Sequence, residues 1–202
     1  MWWNQKAIPT VASITTQSFR RGQSGSVSHR AFMTANPTVD ETRWLALCAS
    51  KGRESPDPRT KVGCIIVGPD RGVRAEACNT YPNGVLNGIP ERIEAPLKYV
   101  WIEHAERNAI YLAARRGVST EGCIMAVELI PCVECARAII QAGIAQIVIN
   151  HDRSTEYNGD RYSGEHPTAI AMLAEAGVAV RFVSPKLAIR DCELADGTEE
   201  FE

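Results

Sequence analysis

The sequence predicts an α/β fold with three layers, αβα, in which a five-stranded mixed sheet lies between helices. Short apolar runs alternate along the chain with longer segments whose apolar residues recur at helical spacing. The first two runs, residues 62–68 and 73–78, are joined by a Pro-Asp-Arg-Gly turn, which indicates an antiparallel hairpin. The later runs are separated by helices, which favours parallel strands in a sheet covered on both faces.

The predicted elements follow the order αββαβαβαβ. The first helix starts at Thr38 or Asp40, both good N-cap residues, and ends near Gly52. The remaining helices cover residues 104–116, 132–142 and 167–177, and the remaining strands cover residues 123–128, 147–149 and 178–183. Between the hairpin and the second helix, residues 79–103 form a connection of a length typical of functional or disordered loops.

The two ends of the chain differ in composition from the predicted folded domain, residues 38–185. The first 39 residues contain no Asp or Glu, four basic residues and many Ser and Thr, a composition typical of a mitochondrial targeting segment. Their apolar residues form no sustained helical stripe, so for residues 1–37 we favour a disordered leader, or a start at Met33, over a targeting segment. Residues 186–202 are expected to form an acidic, frayed tail.

Composition excludes several classes of function. The formal net charge of −2 provides no basic field for nucleic acid or an anionic membrane, and no apolar run approaches the roughly 20 residues of a membrane helix. Seven cysteines, an odd number without a disulfide framework, suit a reducing compartment. A cytoplasmic location is therefore expected, with an organellar one as the alternative if residues 1–32 are a transit segment.

Two short motifs carry the chemistry: His104-Ala105-Glu106 at the start of one predicted helix, and Pro131-Cys132-Val-Glu-Cys135 at the start of the next. Cys132 and Cys135 are three residues apart, so both sulfurs project from one face of a first helical turn. A helix N-terminus lowers the pKa of a thiol and favours the thiolate that a metal needs. One imidazole and two thiolates suit Zn²⁺, and three protein ligands leave a fourth position open for water or hydroxide.

This pattern predicts one catalytic zinc per chain, with Glu106 as the acid–base group. Zinc lowers the pKa of its water from about 15.7 toward about 7, and Glu106 can take the proton and pass it to leaving ammonia. The alternative is a structural zinc or a redox Cys-x-x-Cys pair. A structural site needs a fourth ligand, for which Cys64 and Cys123 are available, but both lie in apolar strand patterns typical of the core.

The sequence resembles the deoxycytidylate (dCMP) deaminase family of the cytidine deaminase superfamily, from about Thr38 to Val183. The resemblance rests on residues 55–63 (Ser-Pro-Asp-Pro-Arg-Thr-Lys-Val-Gly), on residues 104–110 (His-Ala-Glu-Arg-Asn-Ala-Ile) and on the Pro-Cys-Val-Glu-Cys motif with the residues after it. It implies a five-stranded mixed sheet between helices, conversion of dCMP to dUMP and ammonia, and a homo-oligomer, often a hexamer.

The resemblance also implies substrate-binding residues. Asn79 is expected to hydrogen-bond the sugar or the base, the backbone N–H of Ala105 to contact the pyrimidine carbonyl, and Val62 and Pro131 to line the pocket. The basic residues beside the first strand, Arg53, Arg59 and Lys61, are candidates for phosphate binding, although a solvated loop explains any single one of them better.

The chain departs from the family at residues 77–80, Ala-Cys-Asn-Thr in place of the usual Gly-Tyr-Asn-Gly. That region is linked to regulation by nucleoside triphosphates, and the loss of its glycines leaves such regulation and the exact substrate open. The alternatives are deamination of another free base, nucleoside or pterin-like ring at the same zinc site, a nucleic-acid-editing deaminase, and a catalytically dead zinc-binding protein. The acidic charge of the folded domain argues against editing, and the presence of Glu106 against a dead site.

Overall fold

The computed structural model describes residues 33–34, 37–157, 162 and 164–186. The predictions for residues 1–32 and for nearly all of the acidic tail lie outside the described residues. The predicted α/β architecture is confirmed: a mixed sheet lies between helix α1 (Val39–Gly52) on one face and helices α4 (Ala105–Arg115), α5 (Val133–Gln141) and α7 (His166–Glu175) on the other.

All five predicted strands are present. They are β2 (Gly63–Val67), β3 (Val73–Cys78), β4 (Ile124–Val127), β5 (Gln146–Asn150) and β6 (Ala179–Val183). A two-residue strand that the sequence did not predict, β1 (Met33–Thr34), pairs in parallel with β6 and gives the order β1-β6-β5-β4-β2-β3. Strand β2 runs antiparallel to both β3 and β4, whereas β4, β5 and β6 are parallel, as the hairpin and the helical crossovers predict.

Strand β2 is buried on both faces because its side chains alternate between two cores. Cys64 and Ile66 pack with α4, α5 and α7, while Ile65 and Val67 pack with Trp44 and the rest of the α1 face. Gly63 begins this strand where α1 crosses it: a Cβ at Gly63 would lie 1.8 Å from the carbonyl oxygen of Cys48. Any side chain there would push α1 off the sheet, so the glycine permits the close packing of these two layers.

Two further segments form helices that are too short to be recognised from the sequence pattern. The connection of residues 79–103 contains α2 (Pro90–Ile93) and α3 (Lys98–Trp101), and α6 (His151–Glu156) follows β5 directly. The backbone of Thr80 also pairs with that of Glu103 through two hydrogen bonds of 2.8 and 3.1 Å. This bridge holds the two ends of the connection together beside the start of α4.

Candidate active site

The starts of two helices define the candidate metal site. His104 is the N-cap residue of α4 and Cys132 the N-cap residue of α5, with Cys135 in the first turn of α5. The side chain of His104 makes no cap hydrogen bond to its own helix. The imidazole is directed instead toward the two sulfurs, so the residue combines a helix start with a ligand position.

The three predicted ligands converge at distances that a tetrahedral zinc requires. His104 Nδ1 lies 3.6 Å from Cys132 Sγ and 3.5 Å from Cys135 Sγ, and the three atoms all lie within 4.8 Å of one another. Zinc bonds of about 2.0–2.1 Å to nitrogen and about 2.3 Å to sulfur, at tetrahedral angles, separate those atoms by roughly 3.5–3.6 Å. Within the described part of the chain this is the one cluster of such ligands that could hold a metal.

The two cysteines have opposite pKa shifts. The hydrogen bond with Cys135, followed by contact with His104, lowers the pKa of Cys132 to about 3. The hydrogen bond with Cys132, together with burial, raises the pKa of Cys135 well above its ordinary value. The contact between the two cysteines therefore favours the thiolate at Cys132, which is the form that binds a metal.

The other side of the His104 ring faces Tyr162. His104 Nε2 lies 3.3 Å from the Tyr162 hydroxyl, and the two rings meet edge to face with centroids 5.0 Å apart. A hydrogen bond on one imidazole nitrogen fixes the orientation of the ring and leaves the other nitrogen for a metal. In this orientation Nε2 faces the Tyr162 hydroxyl and Nδ1 faces the two sulfurs.

A cavity of about 340 Å³ opens beside the ligand cluster. His104, Cys132 and Glu106 form part of its lining, and Glu106 is only 5% exposed. Burial raises the pKa of the Glu106 carboxyl above its ordinary value, which the nearby His104 partly offsets. A buried carboxyl with a raised pKa, beside a metal site and facing a cavity, is suited to exchange protons with a bound molecule.

The structure brings most of the predicted site residues to this cavity. Its lining includes Val62, Asn79, Ala105 and Arg59, besides the residues above. Ala105 is the first residue of α4, where backbone N–H groups have no acceptor within the helix. Pro131 is buried next to Cys132 but does not line the cavity.

Asn79 has structural partners as well as a place in the lining. Its side-chain oxygen accepts a hydrogen bond of 2.8 Å from the backbone N–H of Val62, and its amide nitrogen donates one of 2.8 Å to the carbonyl of Thr60. The amide nitrogen has a second hydrogen to donate. Asn79 therefore holds the start of β2 in place and still offers one donor to a bound molecule.

The three basic residues beside β2 have different surroundings. Arg59 lines the cavity and forms an exposed ion pair with Glu94 at 3.1 Å. Lys61 donates to the backbone carbonyls of Ser55 and Arg53, and the Arg53 guanidinium donates to Ser50. Neither Arg53 nor Lys61 lines the cavity.

Sequence reasoning missed an ion pair in the cavity wall. Lys98 Nζ donates to Asp57 Oδ2 at 2.9 Å, and the two side chains are only 9% and 5% exposed. Asp57 Oδ1 accepts hydrogen bonds of 2.9 and 3.1 Å from the backbone N–H groups of Arg59 and Thr60. Asp57 belongs to the family-like motif of residues 55–63. Its partner Lys98 lies in the connection of residues 79–103, and only the length of that connection indicated a functional role.

Three tyrosines and Thr60 complete this wall. The Tyr157 hydroxyl lies 2.6 Å from the Thr60 hydroxyl, and Tyr99 packs edge to face with Tyr162. All four line the cavity. They come from three separate segments of the chain, and no local pattern in the sequence indicated that they meet.

Comparison with known families identifies the chain. Residues 38–151 match the cytidine and deoxycytidylate deaminase zinc-binding region. The chain belongs to this family. The membership predicted from the His-x-Glu and Pro-Cys-x-x-Cys motifs is confirmed, and so is the prediction of a deaminase, a hydrolase of C–N bonds.

Individual relatives agree with this assignment. The deoxycytidylate deaminase of Mus musculus is 34% identical over 149 residues, which cover 71% of this chain and 79% of the mouse protein. The fold resembles that of the dCMP deaminase from the cyanophage S-TIM5 in its apo form, with a TM-score of 0.55 and 24% identity over 70% of this chain and 95% of the phage chain. The same phage enzyme in complex with dCMP and dUMP gives a TM-score of 0.51 and 23% identity, over 70% and 93% of the two chains.

None of the helices in the described residues has the length and apolar character needed to cross a membrane.

Proposed function

We propose that the protein is a zinc-dependent hydrolase that converts dCMP and water to dUMP and ammonia. The observation that carries this proposal is the convergence of His104, Cys132 and Cys135 beside a cavity that Glu106 faces. The names of the relatives support the substrate: the mouse relative is a deoxycytidylate deaminase, and the cyanophage enzyme has been solved in complex with dCMP and dUMP.

The three ligands fit one catalytic zinc per chain. Their spacing agrees with tetrahedral Zn²⁺, and three protein ligands leave a fourth position for water or hydroxide. Cys64 and Cys123, the two cysteines that could have made a structural site, are buried elsewhere in the core and do not belong to the cluster. When bound, zinc supplies a Lewis acid that activates water as the nucleophile.

Glu106 is proposed as the catalytic acid–base group. Deamination requires that water attack C4 of the cytosine ring and that the exocyclic amine leave as ammonia, so protons must move from the water to the ring and to the amine. Glu106 is the carboxyl that both faces the cavity and lies two residues from a ligand. Its raised pKa allows it to hold a proton before it passes the proton on.

The residues around the cavity are proposed to orient the base. The backbone N–H of Ala105, which has no acceptor within its own helix at the start of α4, is suited to bind the pyrimidine carbonyl. Asn79 offers its remaining amide hydrogen to the sugar or the base, and Val62 supplies apolar contact. Pro131 is buried next to Cys132 in the chain and does not line the cavity, so it has no direct part in this proposal.

Two cations among the described lining residues, Arg59 and Lys98, are suited to bind the substrate phosphate. The Arg59 guanidinium is mostly exposed and can turn toward an anion, while Lys98 is held in the wall by Asp57. Arg53 and Lys61 do not line the cavity, and their side chains donate instead to Ser50 and to the Ser55 carbonyl. Homo-oligomeric assembly and a cytoplasmic location stay predictions from the sequence.

A substrate panel tests the proposal: ammonia release from dCMP, CMP, deoxycytidine, cytidine, cytosine, adenosine and guanine. Charge-assisted hydrogen bonds to a phosphate contribute about 1.5–3 kcal/mol each. If two such hydrogen bonds form, kcat/KM for dCMP should exceed kcat/KM for deoxycytidine by about 10²–10⁴-fold. Equal values for the two would remove the phosphate site, and ammonia release from a purine with none from dCMP would refute the substrate while leaving the metal site standing.

A further inference from the structure

Arg59 and Lys98, the arginine and the lysine in the described cavity lining, are each paired with a carboxylate. Arg59 Nη2 lies 3.1 Å from Glu94 Oε2, and Lys98 Nζ lies 2.9 Å from Asp57 Oδ2. These two positive charges are therefore balanced by two negative charges. A nucleotide phosphate, which carries a charge of about −1.5 to −2 at pH 7, meets little net attraction here until one carboxylate moves away.

The carboxylate of Asp57 is a fixed partner in this wall. Its Oδ1 accepts from the backbone N–H groups of Arg59 and Thr60, at 2.9 and 3.1 Å, while its Oδ2 accepts from Lys98. Both side chains of the Asp57–Lys98 pair are buried, so separating them would leave uncompensated charges where water is excluded. Asp57 therefore stays with Lys98 when a phosphate approaches.

Glu94 differs from Asp57 in exposure and in the number of its contacts. Its side chain is 63% exposed and that of Arg59 is 67% exposed, and their contact joins one guanidinium nitrogen to one carboxylate oxygen. Exposed ion pairs of this kind contribute little to stability, because water solvates both charges. Little free energy therefore holds the Glu94 carboxylate against Arg59, and a phosphate, which carries more charge, can replace it.

The segment around Glu94 has other contacts that hold its shape. The backbone carbonyl of Glu94 accepts a hydrogen bond of 2.9 Å from the N–H of Lys98, at the start of α3. The Arg92 guanidinium lies over the Trp101 ring, 3.8 Å from its centroid, and donates to the Leu86 carbonyl at 3.2 Å. A change in the Glu94 side chain should therefore leave α2, α3 and the buried Lys98 in place.

We propose that Glu94 is a specificity-determining residue that acts through Arg59: it is the counter-ion of the guanidinium before substrate binds and is exchanged for the substrate phosphate. This proposal rests on the proposed function, because it takes a nucleotide as the substrate. It gives the two carboxylates different roles, since Asp57 positions Lys98 at all times and Glu94 competes with the phosphate.

The test compares Glu94→Gln with the matched control Glu91→Gln, which removes the same charge from an exposed glutamate in the same segment, outside the ion pair. The kcat/KM values for dCMP and deoxycytidine are measured, with the Kd values of dUMP and deoxyuridine. An exposed ion pair changes an equilibrium constant only a few-fold, so the dCMP-to-deoxycytidine ratio of kcat/KM should rise about 2–5-fold in Glu94→Gln, through KM for dCMP rather than kcat. A damaged fold would lower both values and would not raise their ratio.

Glu91→Gln should match the wild type, and Glu94→Gln should not alter the ratio in an Arg59→Gln background, because its effect passes through Arg59. The proposal is overturned if the ratio stays the same or falls in Glu94→Gln, if Glu91→Gln raises it equally, or if the rise persists without Arg59. Release of ammonia from neither substrate would refute the proposed function. The ratio of the Kd of dUMP to that of deoxyuridine, expected to fall by the same factor in Glu94→Gln, would still decide the role of Glu94.

Discussion

Helices α1 and α4 begin in different ways on opposite faces of the same sheet. The N-cap of α1 is Thr38, which forms a complete capping box: its hydroxyl accepts from the backbone N–H of Glu41, and the Glu41 carboxylate accepts from the backbone N–H of Thr38. The N-cap of α4 is His104, whose side chain makes no such bond. A side-chain hydrogen bond from an N-cap residue contributes about 1 kcal/mol to stability. Helix α1 has this stabilisation at its start and α4 lacks it.

In this fold, the hydrogen bonds that stabilise a helix start and the side chains of the candidate metal site lie on opposite faces of the sheet. On the α1 face, local hydrogen bonds serve the helix, and Arg181 of β6 adds an ion pair to Glu41. On the other face, His104, Cys132 and Cys135 direct their side chains toward one another and away from their helices. Functional sites commonly retain less than optimal local stability in this way. Variants at the two helix starts should therefore fail in different ways.

The largest effect is expected for Cys135→Ala. Removing one of three ligands should abolish stoichiometric zinc binding, and with it turnover, because the remaining histidine and cysteine cannot hold the ion. Metal analysis and the melting temperature measure the change. Cys123→Ala is the matched control, a buried cysteine outside the cluster, and should keep one zinc per chain. Full zinc content in Cys135→Ala would place the metal elsewhere.

Glu106→Gln should fold, bind zinc and lose about 10²–10⁴-fold in kcat, the usual value of general acid–base catalysis. The amide is nearly isosteric with the carboxyl, so packing around α4 is preserved. Steady-state ammonia release and metal content are measured on the same sample. Glu134→Gln, an exposed glutamate in the first turn of α5, serves as the control and should change kcat by less than 2-fold. Activity of Glu106→Gln within a few fold of wild type would mean that another group moves the proton.

Lys98→Met tests the cavity wall and should lower the free energy of unfolding by about 3 kcal/mol. Breaking a buried ion pair by removing one partner costs about 3–5 kcal/mol, and the two backbone donors left to Asp57 favour the lower end of that range. The double variant with Asp57→Asn should recover part of the loss, as measured by urea unfolding. Lys186→Met, which breaks an exposed pair with Glu156, should cost less than 1 kcal/mol. Similar losses for the two lysines would show that the wall does not depend on the buried pair.

Thr38→Ala is expected to have the smallest effect, about 1 kcal/mol in unfolding free energy, with zinc content and kcat unchanged. The variant removes the cap of α1 without contact with the site on the opposite face of the sheet. Thr42→Ala, a half-buried threonine in the same helix, is the control and should stay within about 0.5 kcal/mol of wild type. A loss of turnover in Thr38→Ala without unfolding would contradict the separation of the two faces.

The sequence could predict the elements and the candidate metal ligands because both are marked by local spacing. Apolar periodicity marked α1, α4, α5 and α7 and all five main strands to within a few residues. The candidate ligands lie at two helix starts, and the i, i+3 spacing of Cys132 and Cys135 is enough to bring their sulfurs to one face. Strand β1 and helices α2, α3 and α6 have only two to six residues, too few to show a period.

The cavity wall could not be predicted because it depends on contacts between distant segments. Asp57 and Lys98 are 41 residues apart, and Thr60 and Tyr157 are 97 residues apart. From the sequence, Arg53, Arg59 and Lys61 looked equivalent as phosphate ligands. Of these three, only Arg59 lines the cavity, whereas the side chains of Arg53 and Lys61 donate to Ser50 and to the Ser55 carbonyl.

The most direct test of the account is a crystal structure of Glu106→Gln soaked with dCMP, with anomalous data collected at the zinc edge. We expect one anomalous peak per chain, bonded to His104 Nδ1 at about 2.0–2.1 Å and to the sulfurs of Cys132 and Cys135 at about 2.3 Å. The cytosine ring should lie in the cavity against Ala105, with the phosphate toward Arg59 and Lys98. A zinc peak away from these three residues, or dCMP bound outside the cavity, would contradict the account.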